Sequence, residues 1–412
     1  MVVLLHLTNP TVIKKVVSLL DDIDELMAHY DVDALFLEGK SLCNTDLYYM
    51  TRFLAVDPTY YVKQRDQPGV LAAIDMVCER AKQYSPIRNF HSLSPTWNQA
   101  IQERVRRDEL EKRIIEDIAK NLFPEKGIIG ISRTTDAQHV HNLQNLGIQT
   151  KPVQDLFFKA RETKDNSEIE AIKKANQATE STFHRLIDVF QNTEIGAKHV
   201  LFYEKKPLTV GRVKRMIEHS LVDNDSENSE ESIVAAGSKG ADYHYLGLRD
   251  DILHAHEPII IDIFPRRLEE RYHADITRTF VRGNVSTKLN NLFESVEAAF
   301  DTVIDALKAG GTTEDLTNAM ADSFERNGHQ SAIRTPGIKE GMLHSLGHGI
   351  GLDVHEYPGL SIQPTPLLPG AVIAIEPALY YQKIGGVRLE EDFLVTSKGA
   401  QTITKLPRTI FL

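Results

Sequence analysis

Five residues in the C-terminal half of the chain, Asp262, Asp275, His348, Glu376 and Glu390, are of the types that hold divalent metal ions. They lie in the segments IIIDIFP, HADITRTF, HSLGHGIGLDVHE, AVIAIEP and GVRLEEDFLV. Four carboxylates nearly balance two divalent cations and leave room for a bridging hydroxide, which is hydrolase chemistry. Asp262 and Glu376 each end an apolar, strand-like run, where an ionised acid is costly unless paired or metal-bound. One such acid alone is more often a hydrogen-bonded structural residue; two in matched settings favour a site.

Of the neighbours Glu390 and Glu391, only one can face inward on a strand. Alternation groups Val387, Leu389, Glu391, Phe393 and Val395 on one face, and Arg388, Glu390 and Asp392 on the other. The charged face suits metals and substrate, which favours Glu390. In HADITRTF, alternation puts Asp275, Thr277 and Thr279 together, so a hydroxyl able to support the acid points the same way. Three histidines, His344, His348 and His355, surround a glycine pattern. The first two have the spacing of a zinc pair on a helix, but Gly347, Gly349 and Gly351 argue against a regular helix. One histidine is then expected to bind metal, and the others to serve proton transfer or substrate contact. The glycines allow close approach of the backbone to a ligand or a second strand.

The elements that must carry these residues show a faint repeat. EPIIIDIFP and PGAVIAIEP are both apolar strands ending in an acid near proline, each followed by a second strand with another acid. The separations are 13 residues from Asp262 to Asp275 and 14 from Glu376 to Glu390. Two facing hairpins, each offering one acid per strand, would enclose the metals. Upstream, S-x-x-E from Ser167 to Glu170 reads as a capping box, and Ile169, Ile172, Phe183, Leu186, Ile187 and Phe190 as a long amphipathic helix behind it. The polar run KARETKDN before it reads as a linker and places a domain boundary there. The acidic stretch DNDSENSEE reads as a solvated loop, and AAGSKG as a turn.

The first half alternates helix and strand, as a layered sheet does. Val12, Ile13, Val16, Val17, Leu20, Ile23 and Met27 mark a helix; ALFLEG and GIIGIS read as buried strands; helical patterns fall at 70–81 and 110–122. No catalytic acid or base pattern, ligand cluster or phosphate motif appears there, so a structural or oligomerising role is expected. At 412 residues two domains are expected. A net charge of −11 opposes binding to nucleic acid. Two cysteines, Cys43 and Cys78, are too few for a disulfide framework and point to a reducing cytosol. The opening MVVLLHLTNP lacks a basic region and a cleavage pattern, and no apolar stretch suits a membrane helix, so a soluble, cytoplasmic protein is expected.

Taken together, these residues resemble the pita-bread metallopeptidases, the family of prolidase, aminopeptidase P and methionine aminopeptidase. The resemblance covers Glu162 to Val395 and rests on the ordered set Asp, Asp, His, Glu, Glu. DVDALFLEGKSLCNTDLYYMTRF resembles the creatinase-type domain that precedes the catalytic domain in proline-directed members. This implies a creatinase-like α/β N-terminal domain over 1–158 and an α+β pita-bread catalytic domain over 159–412. The implied activity is hydrolysis of the Xaa-Pro bond, as dipeptidase or aminopeptidase, on peptides with a penultimate proline. By resemblance, Asp262, Asp275, His348, Glu376 and Glu390 fall on the five dinuclear ligands, and the RLE ending in Glu390 settles that choice. His244, in ADYHYLG, matches a substrate-side histidine; His344 and His355 match the proton-shuttle and substrate-binding histidines; Arg388 matches an arginine at the pocket edge. Manganese is the metal expected, with cobalt, zinc or iron as alternatives, and a homodimer is usual in the family. The hairpin after Asp262 is two residues longer than the commoner pattern, and Pro377-Ala378 stands where Pro-Gly is usual; both departures fall at the lip of the pocket. A non-catalytic scaffold of the same fold, or a metal-free creatinase-like C–N hydrolase, would have lost ligands, and all five are present.

Overall fold

The computed structural model describes residues 19–412, and side chains from Ile23 onward. The opening decapeptide, Val12, Ile13, Val16, Val17 and the side chain of Leu20 therefore lie outside the described residues. The chain divides into two compact units between Ala160 and Arg161, inside helix Gln154–Glu162. No helix of the described residues is long and apolar enough to cross a membrane.

The N-terminal unit holds a six-stranded sheet in the order Asn89–Ser92, Val70–Ala73, Thr59–Gln64, Ala34–Gly39, Ile128–Ile131, Gln149–Pro152. Ala34–Gly39, the ALFLEG run, is central, antiparallel to Thr59–Gln64 and parallel to Ile128–Ile131. Its Phe36 shares one buried core with Tyr60, Ile115, Ile118 and Leu143, which joins the sheet to helices Arg107–Leu122 and Ala137–Asn145. The helical pattern at 70–81 needs correction. The chain there is strand Val70–Ala73 followed by helix Asp75–Tyr84, because a four-residue apolar run carries no period of its own.

In the C-terminal unit, a four-stranded sheet runs Ile233–Ala236, Ile259–Ile263, Ile276–Val281, Ile410–Phe411. A five-stranded sheet runs Glu356–Leu360, Gly347–Gly349, Val372–Ile375, Glu391–Thr396, Gly399–Thr402. Ile259, Ile261 and Ile263 enter a core with helices Asn166–Gln191 and Val210–Asp223, while Ile260 enters another with helices Thr287–Ala306 and Thr313–Arg326. The strand is thus buried on both faces, which explains its unbroken isoleucine run. Each such side chain contributes on the order of 2 kcal/mol of transfer free energy. Several of them offset the cost of placing an acid, Asp262, on the face of Ile260.

Three expectations are revised here. The helix cap is Asp165, two residues earlier than the expected Ser167, with Glu168 completing the capping box. KARETKDN is no exposed linker: Arg161, Glu162 and Lys164 are buried. Part of the acidic stretch is also ordered. Ser226–Asn228 pairs with Pro265–Arg267, and Glu227 accepts hydrogen bonds from Arg266 at 2.8 Å and Arg271 at 3.0 Å. The long hairpin after Asp262 is therefore pinned against that stretch, which a reading of local charge alone cannot show.

Candidate metal centre

Asp262 lies inside its strand, opposite Thr277, and Asp275 immediately precedes strand Ile276–Val281. His348 sits at the middle of Gly347–Gly349, between Gly359 on one side and Ala374 on the other. A Cβ on Gly349 would lie 2.4 Å from the carbonyl oxygen of Tyr357, so glycine is what lets these strands close. Glu376 directly follows Val372–Ile375 and Glu390 directly precedes Glu391–Thr396; these strands pair with Ile375 opposite Glu391. The expected pair of simple hairpins is modified twice. Of the four acids only Asp262 lies within a strand, and the second pair is interrupted by the inserted hairpin Ala378–Tyr381 and Gly385–Arg388.

One ligand atom each from Asp275, His348 and Glu390 lie within 4.8 Å of one another. His348 Nε2 is 3.7 Å from Asp275 Oδ2 and 3.9 Å from both Glu376 Oε1 and Glu390 Oε1. Asp262 adjoins through Arg388, whose Nη2 donates to Asp262 Oδ2 at 2.6 Å. The two neighbouring glutamates point apart: Thr277 Oγ1 donates to Glu390 Oε2 at 2.7 Å, while Glu391 turns to Arg278 at 2.7 Å. Thr277 thus supports Glu390 rather than Asp275, the acid it was expected to serve. Arg388, expected at the pocket edge as a substrate contact, is buried and donates to Asp262, Thr277 and the Tyr380 hydroxyl. His344 Nδ1 is 3.7 Å from Glu376 Oε2, and the side chains of His344 and Glu376 keep 14% and 16% exposure, so both reach solvent. His355 is exposed, its ring 4.3 Å from that of His348. His244 is exposed and stacks on Tyr243, which in turn packs on His344 and Tyr380.

The electrostatics mark an acid cluster short of positive charge. Burial, then repulsion from Glu390, Asp262, Asp392 and Glu376, holds the Asp275 carboxyl well above the usual range. Burial and the charges of Glu376 and Asp262 do the same to Glu390. Glu376 is pushed up to about 8 by burial and by Asp262, against the pull of Arg388. Burial drives both His344 and His348 down to about 3, reinforced by Arg388 for the first and His355 for the second. A neutral imidazole among acids is the form a metal ligand needs. Asp262 Oδ1 and Asp275 Oδ1 are buried without a hydrogen-bond partner among the described residues. Hard oxygen donors with one imidazole and unsatisfied acceptor atoms fit divalent cations.

Residues 170–397, more than half of the chain, match the model of metallopeptidase family M24. The chain belongs to that family. An Xaa-Pro dipeptidase of Pyrococcus furiosus is 30% identical over 290 residues, 68% of this chain and 75% of the relative. An Xaa-Pro dipeptidase of Pyrococcus horikoshii is 32% identical over 266 residues, 63% of this chain and 67% of the relative. Among solved structures, the prolidase from Pyrococcus furiosus superposes with a TM-score of 0.75 at 25% identity, covering 93% of this chain and all (100%) of that one. The Xaa-Pro dipeptidase from Bacillus anthracis reaches 0.77 at 22% identity, covering 96% and 100%. The fold is therefore the pita-bread fold of M24, and the chain is a metallopeptidase, a hydrolase that depends on divalent metal.

Two residues packed against this acid cluster escaped the sequence reading. The Tyr380 hydroxyl lies 2.9 Å from His344 Nε2 and 3.0 Å from Arg388 Nη1, joining the histidine to the arginine. A tyrosine four positions past an acid gives no separate signal. Asp392 is fully buried and accepts from the Asp275 backbone N–H at 3.1 Å and from Asn176 at 2.8 Å. It shares the face of Glu390 by alternation, which was the available clue.

Proposed function

We propose that this M24 peptidase hydrolyses the Xaa-Pro bond of peptides with a penultimate proline, using two divalent ions held by Asp262, Asp275, His348, Glu376 and Glu390. The carrying observation is the convergence of four acids and one neutral histidine around the buried counter-charge of Arg388, in a chain related to Xaa-Pro dipeptidases. The carboxylate-rich donor set suits manganese, with cobalt, zinc or iron as alternatives. When bound, the ions supply Lewis acidity that activates water near neutral pH and polarises the scissile carbonyl.

The remaining steps fall to the chain's own groups. Glu376, open on one side, accepts the proton of the attacking water and delivers it to the proline nitrogen. His344, beside Glu376 and the Tyr380 hydroxyl, donates to the developing oxyanion or relays the proton. His355 and His244, both exposed, meet the substrate. Proline has no N–H and its imide bond isomerises slowly, so these contacts must recognise the ring and the trans bond. Arg388 orients Asp262 and Tyr380 from behind.

The test is hydrolysis of Ala-Pro against Ala-Pro-Ala with manganese supplied. Cleavage of either before proline supports the reading, and the ratio separates dipeptidase from aminopeptidase. Failure on both, with cleavage of peptides lacking proline, would remove it. We take the N-terminal unit to be a creatinase-type domain and the enzyme a cytoplasmic homodimer, in keeping with two free cysteines and the prevalence of twofold assemblies. Light scattering that returned a monomer would remove the dimer.

A further inference from the structure

The first residues of the C-terminal unit, read from sequence as a polar linker, carry the least expected chemistry in the chain. Lys164 and Glu356 are each 7% exposed and Arg161 is 4% exposed. Lys164 Nζ donates to Glu356 Oε2 at 3.0 Å, Arg161 Nε lies 3.7 Å from Glu356 Oε1, and Arg161 Nη2 donates to Asp353 Oδ2 at 2.9 Å. Glu356 Oε1 in turn accepts the backbone N–H groups of Leu352 at 2.9 Å and Asp353 at 3.1 Å. Lys164 is itself anchored, because its N–H donates to Gly370 O at 2.9 Å and Thr163 bridges to Ala371. Gly351 closes the loop: a Cβ there would lie 2.5 Å from Glu356 Oε2. Its carbonyl accepts the His273 N–H at 2.8 Å.

We infer that Lys164, assisted by Arg161, is a positioning residue that acts through Glu356 to hold His355 against His348. His355 is the exposed residue between buried Val354 and Glu356, in a bend that no helix or strand fixes. One carboxylate ties down the two amides ahead of it, and the cations keep that carboxylate ionised and in place. Without Lys164 the carboxylate loses its nearest counter-charge, and the bend that presents His355 loosens. The inference rests on the peptidase reading, in which His355 meets substrate.

The experiment is a double-mutant cycle of Lys164→Met and His355→Ala, with Lys164→Arg as the conservative variant, assayed on Ala-Pro with manganese. Amide exchange of the 350–357 segment is followed in parallel on metal-free protein. Lys164→Met is expected to lower kcat/KM about 10-fold or more at unchanged metal content, and Lys164→Arg to restore most of it. In the His355→Ala background the same change should cost less than about 2-fold, because the two residues act as one unit. The Leu352 and Asp353 amides should exchange about 10-fold faster in Lys164→Met. A penalty undiminished by His355→Ala, or unchanged exchange at those amides, overturns the inference. If Lys164→Met does not fold, Glu356→Gln enters the same cycle with the same expected outcomes. Should the wild type cleave no Xaa-Pro peptide, the peptidase reading fails while the exchange measurement still decides the clamp.

Discussion

Glu356 and Glu376 are glutamates of the same unit, the first buried and the second largely so, and their carboxyls move in opposite directions. Burial raises each. Lys164 and Arg161 then bring Glu356 below its ordinary value, whereas Glu376, facing Asp262 with only Arg388 to offset it, ends at about 8. The difference lies in stoichiometry. At Glu356 the fold supplies the cations itself, so the carboxylate is complete and serves structure. Around Glu376 the buried acids outnumber the arginine Arg388 among the described residues, so the cluster is left short of positive charge and suits ions from outside. Burial alone therefore does not mark a metal site; burial in excess of local positive charge does.

The strongest way to break this comparison is to neutralise one acid at each place. Glu376→Gln should reduce kcat/KM on Ala-Pro by about 10³-fold, within the range for loss of a general acid–base group. The protein should keep its circular dichroism spectrum. Activity within about 10-fold of wild type would remove Glu376 from proton transfer. Next in size is an effect on stability in EDTA. Glu356→Gln should destabilise by about 3 kcal/mol, because it strands the buried Lys164 and Arg161. Asp275→Asn should be neutral or stabilising by about 1 kcal/mol, since it relieves repulsion among the acids. Urea unfolding checks both, and changes of the same sign would mean the two clusters are not different in kind.

The same contrast explains what could be read before the fold was known. The acids proposed as ligands stood out because Asp262 and Glu376 interrupt runs such as IIID and VIAIE, where local physics has no other use for a charge. Alternation, which sets Glu390 with Arg388, favoured it over Glu391, and the structure turns Glu391 to Arg278. The balanced cluster was illegible for the converse reason. KARETK looks like solvated linker until Glu356, distant in sequence, arrives to bury it. The pairing of Ser226–Asn228 with the extended hairpin was missed in the same way, since neither strand has a pattern and each exists through pairing with the other. The 70–81 segment failed on period, because a four-residue buried strand abutting a helix reads as more helix.

The smallest effect, and the sharpest discriminator, is proton release. Asp275, Glu376 and Glu390 have folded values above those of the unfolded chain. Between the ordinary carboxylate range and about 8, the metal-free folded protein therefore binds protons that the unfolded chain has released. Its stability falls as pH rises through that window, by linkage. Glu356 has the opposite sign: its contribution is full above the unfolded value and is lost only as pH falls through the depressed folded one, so it is silent from pH 5 to 8. His348, pushed down to about 3, has already lost its proton there. Manganese must consequently displace protons from the acids alone. Calorimetric titration at pH 6, in buffers of different ionisation enthalpy, should show release of about one proton or more, declining toward zero above about pH 8.5. The same measurement on Glu356→Gln should give the wild-type number. If manganese bound at pH 6 without releasing protons, the acids would already be ionised in the metal-free fold, and the contrast between the two glutamates would collapse.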